Sequence, residues 1–337
     1  MTRSNNILVR TAFRFMKAEA MREFDKLPNE RILITGASGF IGTHLCHYLC
    51  ASGAEVHALS RTLHASKVSG LHWWTGELGD IATVRNLLAT IKPDVIFHLA
   101  SHVSGSRSLE IVLPCLHGNL ISTVNVLTAA TEVGCRRIVL AGSFEEPEPG
   151  DIPATPSSPY AAAKLASSAY GRMFYALYQA PVVIARMFMV YGPAQQDLRK
   201  LIPYVTLSLL RDQTPKLMSG TRQVDWIYVE DVINGLVAMA HAPDVAGCTI
   251  DLGSGTLVPA REVVESLFTL IRPQSKPVFG VVPDRPLEQV RKANTADTHA
   301  KLGWKPVISL DEGLKRTVNW YEQRLGEGAL EGFDPRG

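Results

Sequence analysis

The chain has 337 residues, of which 46% are hydrophobic and 20% are charged, and its net charge is +2. A chain of this kind can bury a large core in one large domain or two intimate ones. The near-neutral charge gives no electrostatic case for nucleic acid or a membrane surface, and no apolar run approaches the ~20 residues of a membrane span. The five cysteines are scattered in apolar stretches, which predicts reduced thiols in a cytoplasmic protein and no metal site.

The first 28 residues do not resemble the rest of the chain. They contain several arginines and no strand pattern. Acidic residues within them argue against a targeting peptide, and the apolar region of a secretory signal is missing. We expect an N-terminal extension, helical in character, or a start codon upstream of Met16 or Met21.

A glycine-rich turn follows the first predicted strand, Arg31–Thr35. Gly36, Gly39 and Gly42 separate this short apolar run from a helical pattern over Thr43–Ser52. Residues without a Cβ let the backbone turn tightly and approach a pyrophosphate, which the N–H groups and dipole of the helix N-terminus stabilise. The segment therefore predicts a dinucleotide site.

The second predicted strand, Glu55–Leu59, ends in Ser60 and Arg61. A site selective for NAD usually has an acid here for the ribose 2′-hydroxyl. A hydroxyl followed by a guanidinium suits a 2′-phosphate instead. This favours NADP(H), with NAD(H) as the alternative, and Arg61 as a solvated cation is the simpler interpretation.

Strand and helix patterns alternate from Arg31 to about Val190. Such alternation predicts an α/β protein with a Rossmann-type doubly wound parallel sheet and helices on both faces. The predicted strands are Arg31–Thr35, Glu55–Leu59, Leu71–Gly76, Val95–Ala100, Arg137–Gly142 and Val182–Arg186.

Tyr160 and Lys164 are four residues apart on a predicted helix. Residues at this spacing lie on one face. The ammonium is expected to lower the phenol pKa from about 10 towards working pH, which would make Tyr160 a general acid or base. The spacing alone is also that of an ordinary surface helix, so the glycine turn must support the catalytic interpretation.

Beyond Tyr191 the pattern becomes irregular and richer in proline. We expect a smaller C-terminal α/β substrate-binding lobe from residues 191–224 and 256–325, with a tail over 326–337. The nucleotide-binding domain is expected to comprise residues 29–190, with segments near 225–255 returning to it. Gly247–Leu252 and Asp225–Val229 are the strands predicted to return.

With these features the chain resembles the extended short-chain dehydrogenase/reductase family, and within it the nucleotide-sugar epimerase/dehydratase/reductase group. The resemblance covers roughly residues 31–324. It implies an enzyme with a bound nicotinamide dinucleotide and a nucleotide-linked sugar substrate. The motifs that match are the glycine turn, the Tyr160/Lys164 pair, residues 76–80, 98–101, 186–193, 225–232 and 302–306, and Asn119.

The resemblance also implies roles for individual residues. Tyr160 would exchange a proton with a sugar hydroxyl or carbonyl, Lys164 would hold the cofactor ribose, and Ser143 would hold the reacting oxygen; Ser143 as a turn cap is the alternative. The implied cofactor contacts are Gly36, Ser38, Gly39, Phe40, Ile41, Gly42, Ser60, Arg61, Glu77, Leu78, Leu99, Ala100, Ser101, Asn119, Tyr160 and Lys164. The implied substrate contacts are His102, Ser143, Phe144, Met189, Arg222 and Arg291.

The segment after Ser143 departs from the family pattern. Dehydratases of the group have Asp-Glu directly after the hydroxyl residue, the pair that removes a proton and expels water. Here the two positions are Phe144 and Glu145. Without the acid, elimination becomes harder, although Glu145 remains a candidate base. The alternative is that Glu145 and Glu146 are solvated loop residues.

Two diphosphate contacts of the family are also changed. Met189 occupies a frequent asparagine position, and Val224 replaces a common arginine. Arg222 lies on the same face as Val224 if the segment is extended. Together with Arg291 it would provide guanidinium contacts to phosphate. Each arginine alone is equally well explained as a surface cation.

Three functions follow from these patterns. The first is an NADPH-dependent reductase of a nucleotide-linked 4-keto-6-deoxyhexose, favoured by Ser60 and Arg61. The second is a 4-epimerase with tightly bound NAD, ahead of a 4,6-dehydratase. The third, a non-catalytic nucleotide-binding protein, is opposed by the intact Ser143, Tyr160 and Lys164 set. Two helices, near residues 109–131 and 157–177, resemble those that form a homodimer in this family.

Overall fold

The computed structural model describes residues 30–66, 68–147 and 155–330. The extension expected over residues 1–28 lies outside the described residues, as does most of the expected tail.

A seven-stranded sheet forms the larger part of the fold, in the order β3-β2-β1-β4-β5-β6-β9. Every neighbouring pair in it is parallel. Its strands are β1 (Arg31–Thr35), β2 (Glu55–Ser60), β3 (Leu71–Thr75), β4 (Val95–His98), β5 (Arg137–Ser143), β6 (Val182–Met187) and β9 (Thr249–Leu252). The predicted doubly wound sheet is confirmed, and the predicted strands are found to within two residues at each end.

Helices cover both faces of this sheet because its strands are apolar on both sides. Ile32 and Ile34 face one core with α1 (Phe40–Ala51) and α6 (Val229–His241). Leu33, pointing the opposite way, joins a second core with three other helices. These are α2 (Ile81–Ile91), α3 (Leu109–Val133) and α4 (Pro159–Tyr178).

The smaller lobe contains a three-stranded sheet in the order β10-β8-β7. Its own core includes Val224, Trp226 and Leu267. The strands are β7 (Met189–Tyr191), β8 (Gln223–Tyr228) and β10 (Leu257–Pro259), and the helices are α5 (Leu201–Leu210), α7 (Ala260–Ile271) and α9 (Leu310–Gly326). The helix α8 (Thr295–Leu302), expected in this lobe, packs instead against β9 of the large sheet, and Leu302 joins the core of the large domain.

The two strands expected to return to the large sheet have different fates. β9 pairs with β6 there, as predicted from Gly247–Leu252. The strand predicted at Asp225–Val229 does not: β8 pairs with β7 and β10 in the smaller sheet. Its side chains from Val224 to Tyr228 are all buried, so apolar content alone does not distinguish the two sheets.

One helix in the described part of the chain, α3, is long and apolar enough to cross a membrane by length and composition. Val126, Leu127 and Ala130 near its C-terminal end are buried in the second core. Its N-terminal half exposes Leu109 and Leu113. The helix is thus one layer of the α/β domain with an apolar strip left uncovered.

Candidate active site

The glycine turn has the geometry that the spacing predicts. Gly36 has a φ of 69°, and a Cβ there would lie 2.7 Å from the Ala100 nitrogen. A Cβ on Gly42 would overlap the Gly36 carbonyl oxygen. Gly39 precedes α1, and no side chain caps that helix. Its first N–H groups are therefore available to an anion.

The end of β2 places a set of small polar groups next to the glycine turn. Ser60 Oγ lies 3.3 Å from Ser38 Oγ and 3.2 Å from His64 Nε2, and it accepts the Thr62 N–H at 3.2 Å. Arg61 is exposed. Ser60 thus lies beside the glycine turn, and His64 is a neighbour that the motif did not indicate.

The other expected cofactor contacts lie at the carboxyl ends of β1, β3 and β4, where ligands of such sheets bind. The Ala100 N–H donates to Thr35 Oγ1 at 3.2 Å, and the Leu99 N–H to the Thr35 carbonyl at 3.3 Å. Leu78 is buried, whereas Glu77 lies at the exposed start of the turn before α2. Phe40 and Ile41 begin α1 and are half-buried.

Asn119 orders the loop after β4 instead of pointing into open space. Its Oδ1 accepts from Ser101 Oγ and from the His102 N–H, and its Nδ2 donates to the His102 carbonyl. Asn119 is 1% exposed and lies in a π-helical turn of α3, Leu116–Ile121. Such turns often mark functional sites. Asn119 therefore positions Ser101 and His102, both expected ligand contacts.

Ser143, Tyr160 and Lys164 come together where β5 meets α4. The Tyr160 and Ser143 side chains are hydrogen-bonded. The Lys164 ammonium donates to the Ala141 carbonyl at 2.8 Å and lies 5.9 Å from the centre of the Tyr160 ring. Ser158 caps α4 by accepting the Ala161 N–H, and Pro159 begins the helix. These local signals fix where the helix starts, and with it the positions of Tyr160 and Lys164.

Burial dominates the electrostatics of this pair. It raises the pKa of the Tyr160 phenol, against the hydrogen bond with Ser143, and the charge of Glu146 raises that pKa further. It also lowers the pKa of Lys164 to about 8, which the charge of Glu146 opposes. The phenol pKa is thus raised instead of lowered as expected, because desolvation outweighs the hydrogen bond with Ser143. Tyr160 carries its proton at neutral pH.

Phe144 and Glu145 follow Ser143 where the large domain meets the smaller lobe. Phe144 is buried and stacks on Phe188, with ring centres 5.6 Å apart. Glu145 forms an ion pair with Arg222 at 3.0 Å and accepts from Ser157 Oγ at 3.3 Å. The position at which dehydratases have an acid is thus apolar and packed.

Arg222 is a neutralised cation in this arrangement. Its guanidinium also pairs with Glu288 at 3.0 Å and donates to the Gln289 carbonyl at 3.0 Å. Two carboxylates and a carbonyl therefore hold the group that was expected to contact a diphosphate. Arg222 joins the loop after β5 to the segment before Arg291.

Arg291 and Met189, the other expected substrate contacts, lie near this junction. Arg291 is 8% exposed. Met189 packs against the core of the large domain and that of the lobe. Both lie where the two parts meet, which is consistent with a ligand between them.

Glu146 is the site residue that sequence reasoning missed. The sequence suggested for Glu146 only the alternative of a solvated loop residue. In the structure it is 6% exposed, and its Oε1 accepts the Ser143 N–H at 2.7 Å. Burial raises its pKa, while the charges of Lys164 and Arg186 lower it. The signal in the sequence was the glycine at position 142. In the structure, a Cβ there would lie 3.1 Å from Glu146 Oε1.

The smaller lobe also contacts the glycine turn. The Gln196 amide donates to the Ser38 carbonyl, and His44 Nε2 donates to the Pro193 carbonyl at 3.0 Å. Residues 193–196 therefore lie against the turn and the first helix. A molecule bound at the turn would be enclosed from this side.

These features fit a nicotinamide dinucleotide. The glycines leave room for a pyrophosphate at an uncapped helix N-terminus. Ser38 and Ser60 offer hydroxyls where the adenosine ribose would lie, and Tyr160 and Lys164 lie where the nicotinamide end is expected.

The sequence profile described as "NAD dependent epimerase/dehydratase family" matches residues 32–253. A UDP-glucose 4-epimerase of Mycolicibacterium smegmatis is 31% identical over 87% of this chain and 99% of its own length. A probable dTDP-glucose 4,6-dehydratase of Sinorhizobium fredii is 28% identical over 86% of this chain and 92% of its length.

Solved structures agree with these sequence relatives. An epimerase of Methanothermobacter thermautotrophicus superimposes with a TM-score of 0.82 and 26% identity, covering 92% of this chain and 96% of that one.

Proposed function

The chain belongs to the NAD dependent epimerase/dehydratase family of nucleotide-sugar enzymes, and from this premise we propose that it is a 4-epimerase of a nucleoside-diphosphate-linked hexose. The resemblance seen in the sequence is thereby confirmed at the level of family, enzyme class and fold. Which reaction the chain performs within that family depends on the residues around Ser143 and on the contact between lobe and glycine turn.

Phe144 and Glu145 argue against dehydration. Elimination needs a proton donor for the leaving hydroxyl, and Phe144 offers none. Glu145, our candidate catalytic base, is ion-paired with Arg222 and hydrogen-bonded by Ser157, so we assign it to holding Arg222 in place and not to catalysis. The site keeps its proton-transfer set and lacks the elimination pair.

The contact of residues 193–196 with the glycine turn is the observation that carries the choice of epimerase. Gln196 and Pro193 join the smaller lobe to Ser38 and His44. A dinucleotide enclosed in this way would leave slowly. Slow exchange suits an enzyme that oxidises and reduces the same sugar in one cycle, and hinders one that needs fresh reductant at each turnover.

The proposed mechanism uses three side chains at the sugar C4. Tyr160 takes the hydroxyl proton as that oxygen becomes a carbonyl oxygen, and returns it when the hydroxyl re-forms with inverted stereochemistry. Ser143 donates a hydrogen bond to the oxygen, and Lys164 supports Tyr160 electrostatically. A bound nicotinamide supplies the hydride chemistry and, when oxidised, a positive charge that favours the phenolate. Phe144, packed on Phe188, adds no acid or base beside Ser143.

Reduction with NADPH is the second candidate, and Ser60 is the observation that favours it. No acid stands at the ribose position, and Ser38, Ser60, Thr62 and His64 form a polar group there. The family description names NAD, so the preference for NADP(H) inferred from Ser60 and Arg61 remains a proposal. Arg61 is exposed and would have to reorient to bind a 2′-phosphate.

The deciding experiment uses purified protein without added cofactor. We expect UDP-glucose or dTDP-glucose to convert to its C4 epimer, which NMR would detect. We also expect denaturation of the protein to release NAD, which mass spectrometry would identify. Consumption of NADPH with a 4-keto-6-deoxy sugar nucleotide, together with no epimer, would replace the proposal by the reductase. Formation of a 4-keto-6-deoxy product from the hexose itself would establish a dehydratase.

We also propose that the protein is a cytoplasmic homodimer, assembled through α3 and α4. Leu109 and Leu113 on α3 and Tyr170 and Leu177 on α4 are exposed, at spacings that put each pair on one helix face. Light scattering should give a mass near twice 36.8 kDa, and Leu113→Glu should halve it. A monomeric wild type at micromolar concentration would exclude this assembly.

A further inference from the structure

The turn after β5 contains the buried carboxylate of Glu146. This group accepts a hydrogen bond from Ser143, and its charge raises the pKa values of Tyr160 and Lys164. Two hydrogen bonds join Ser143 and Glu146. The Glu146 N–H donates to the Ser143 carbonyl at 3.2 Å, and Glu146 Oε1 accepts the Ser143 N–H at 2.7 Å. The two bonds close a tight turn from Ser143 to Glu146. The direction of Ser143 Oγ towards Tyr160 therefore depends on the Glu146 carboxylate.

The surroundings of Glu146 are built to accept a carboxylate. A Cβ on Gly142 would crowd Ile184 Cγ2 at 2.9 Å and Glu146 Oε1 at 3.1 Å, so glycine suits this packing. Arg186, the other cation acting on Glu146, is held by Asp251 at 2.6 Å. Lys164, 4% exposed, donates to the Ala141 carbonyl at 2.8 Å, two residues before the Ser143 N–H that Glu146 accepts. Both charged groups therefore bond the same end of β5, and the Lys164 charge lowers the pKa of Glu146. A buried charge without compensation is costly, so Glu146 and Lys164 stabilise each other's charged forms.

We propose that Glu146 is a positioning residue of the catalytic centre, which holds the backbone of Ser143 and places a negative charge opposite the Lys164 ammonium. The proposal rests on the proposed use of Ser143, Tyr160 and Lys164, and it adds a residue that does not touch substrate. Its two roles are separable, because glutamine keeps the hydrogen-bond acceptor and loses the charge.

Other charged groups near Lys164 do not replace that charge. His98 on β4 is buried between Thr35 and Thr123, and burial lowers its pKa to about 3, so it is neutral at working pH. Tyr160 on α4 is protonated because burial raises its pKa. Arg186 on β6 is positive and paired with Asp251. Glu146 is thus the anion that raises the pKa of Lys164.

Glu146→Gln should shift the alkaline limit of turnover to lower pH. Because the pKa of Lys164 is about 8 with Glu146 present, loss of an opposing charge should lower it by roughly one unit or more. For a one-unit fall we expect kcat within about threefold of wild type at pH 6 and about fivefold below wild type at pH 8. Glu146→Leu, which also removes the acceptor, should be less active than Glu146→Gln at pH 6.

A readout independent of activity separates this proposal from the proposed function. The free energy of unfolding is measured against pH for wild type, Glu146→Gln, Lys164→Met and the double variant. With Glu146 present and in the Glu146→Gln variant alike, the free energy of unfolding with Lys164 minus that of the Lys164→Met variant should begin to rise with pH at the pKa of folded Lys164. We expect this onset to lie lower in the Glu146→Gln background. This measurement uses no substrate, so it tests the proposal even if none of the sugar nucleotides is converted.

Asp231→Asn is the matched control. Asp231 is also buried, with its carboxylate accepting the Val307 and Ile308 N–H groups. Its substitution should lower stability without moving the alkaline limit. Identical pH profiles for wild type and Glu146→Gln, or an unchanged onset in the unfolding cycle, would overturn the proposal. So would an Asp231→Asn profile that shifts as far as that of Glu146→Gln.

Discussion

Tyr160→Phe should abolish most turnover while leaving the fold and the bound dinucleotide intact. The change removes one hydroxyl, the partner of Ser143, from a residue whose ring stays in place. Positioned proton transfer contributes about 10²–10⁴-fold to rate, so we expect kcat to fall by about 10³-fold. Turnover measured by NMR of the sugar nucleotide, with the co-purified nucleotide quantified by mass, tests both halves.

Tyr170→Phe is the matched control for this prediction. Tyr170 lies on the same helix, is 40% exposed and belongs to the face away from the sheet. Its hydroxyl can be lost without effect on kcat. If Tyr160→Phe keeps more than a tenth of wild-type turnover, another group moves the proton and the proposed role of Tyr160 is wrong.

Lys164→Met should reduce turnover by about 10²-fold or more, because the phenol loses its nearby cation. Methionine has a similar length and no charge, so it can replace the buried Lys164 side chain beside Ala141. The substitution should also change how stability depends on pH. Burial lowers the pKa of Lys164 from 10.5 to about 8, which at about 1.4 kcal/mol per pH unit corresponds to roughly 3 kcal/mol.

The sign of this effect follows from proton binding. Between pH 8 and 10.5 the unfolded chain keeps the Lys164 proton and the folded chain loses it, so Lys164 makes the free energy of unfolding rise with pH. Buried Cys46 and Tyr321 act the other way, since burial raises their pKa values. The test is therefore the wild type minus Lys164→Met difference in urea unfolding. A difference that stays flat from pH 7 to 10.5 would contradict the assignment.

Local sequence determined the architecture because its signals are short-range and redundant. The apolar runs of β1, β4 and β5, the glycines at residues 36, 39 and 42, and the Ser158-Pro159 start of α4 each depend on neighbours in the chain. These signals also placed Ser143, Tyr160 and Lys164 at one edge of the sheet, since carboxyl ends of parallel strands meet there. The departure at Phe144 was likewise readable, and it argued against dehydration.

Only the tertiary structure decided the charges of the site. Glu145 and Glu146 are adjacent and alike in sequence, yet one pairs with Arg222 across the cleft and the other is buried beside Lys164. The direction of the Tyr160 pKa shift and the placement of β8 in the smaller sheet also depended on residues far away in the chain. The physical reason is that desolvation and charge pairing are set by what packs around a group, whereas strands, turns and caps are set by what adjoins it.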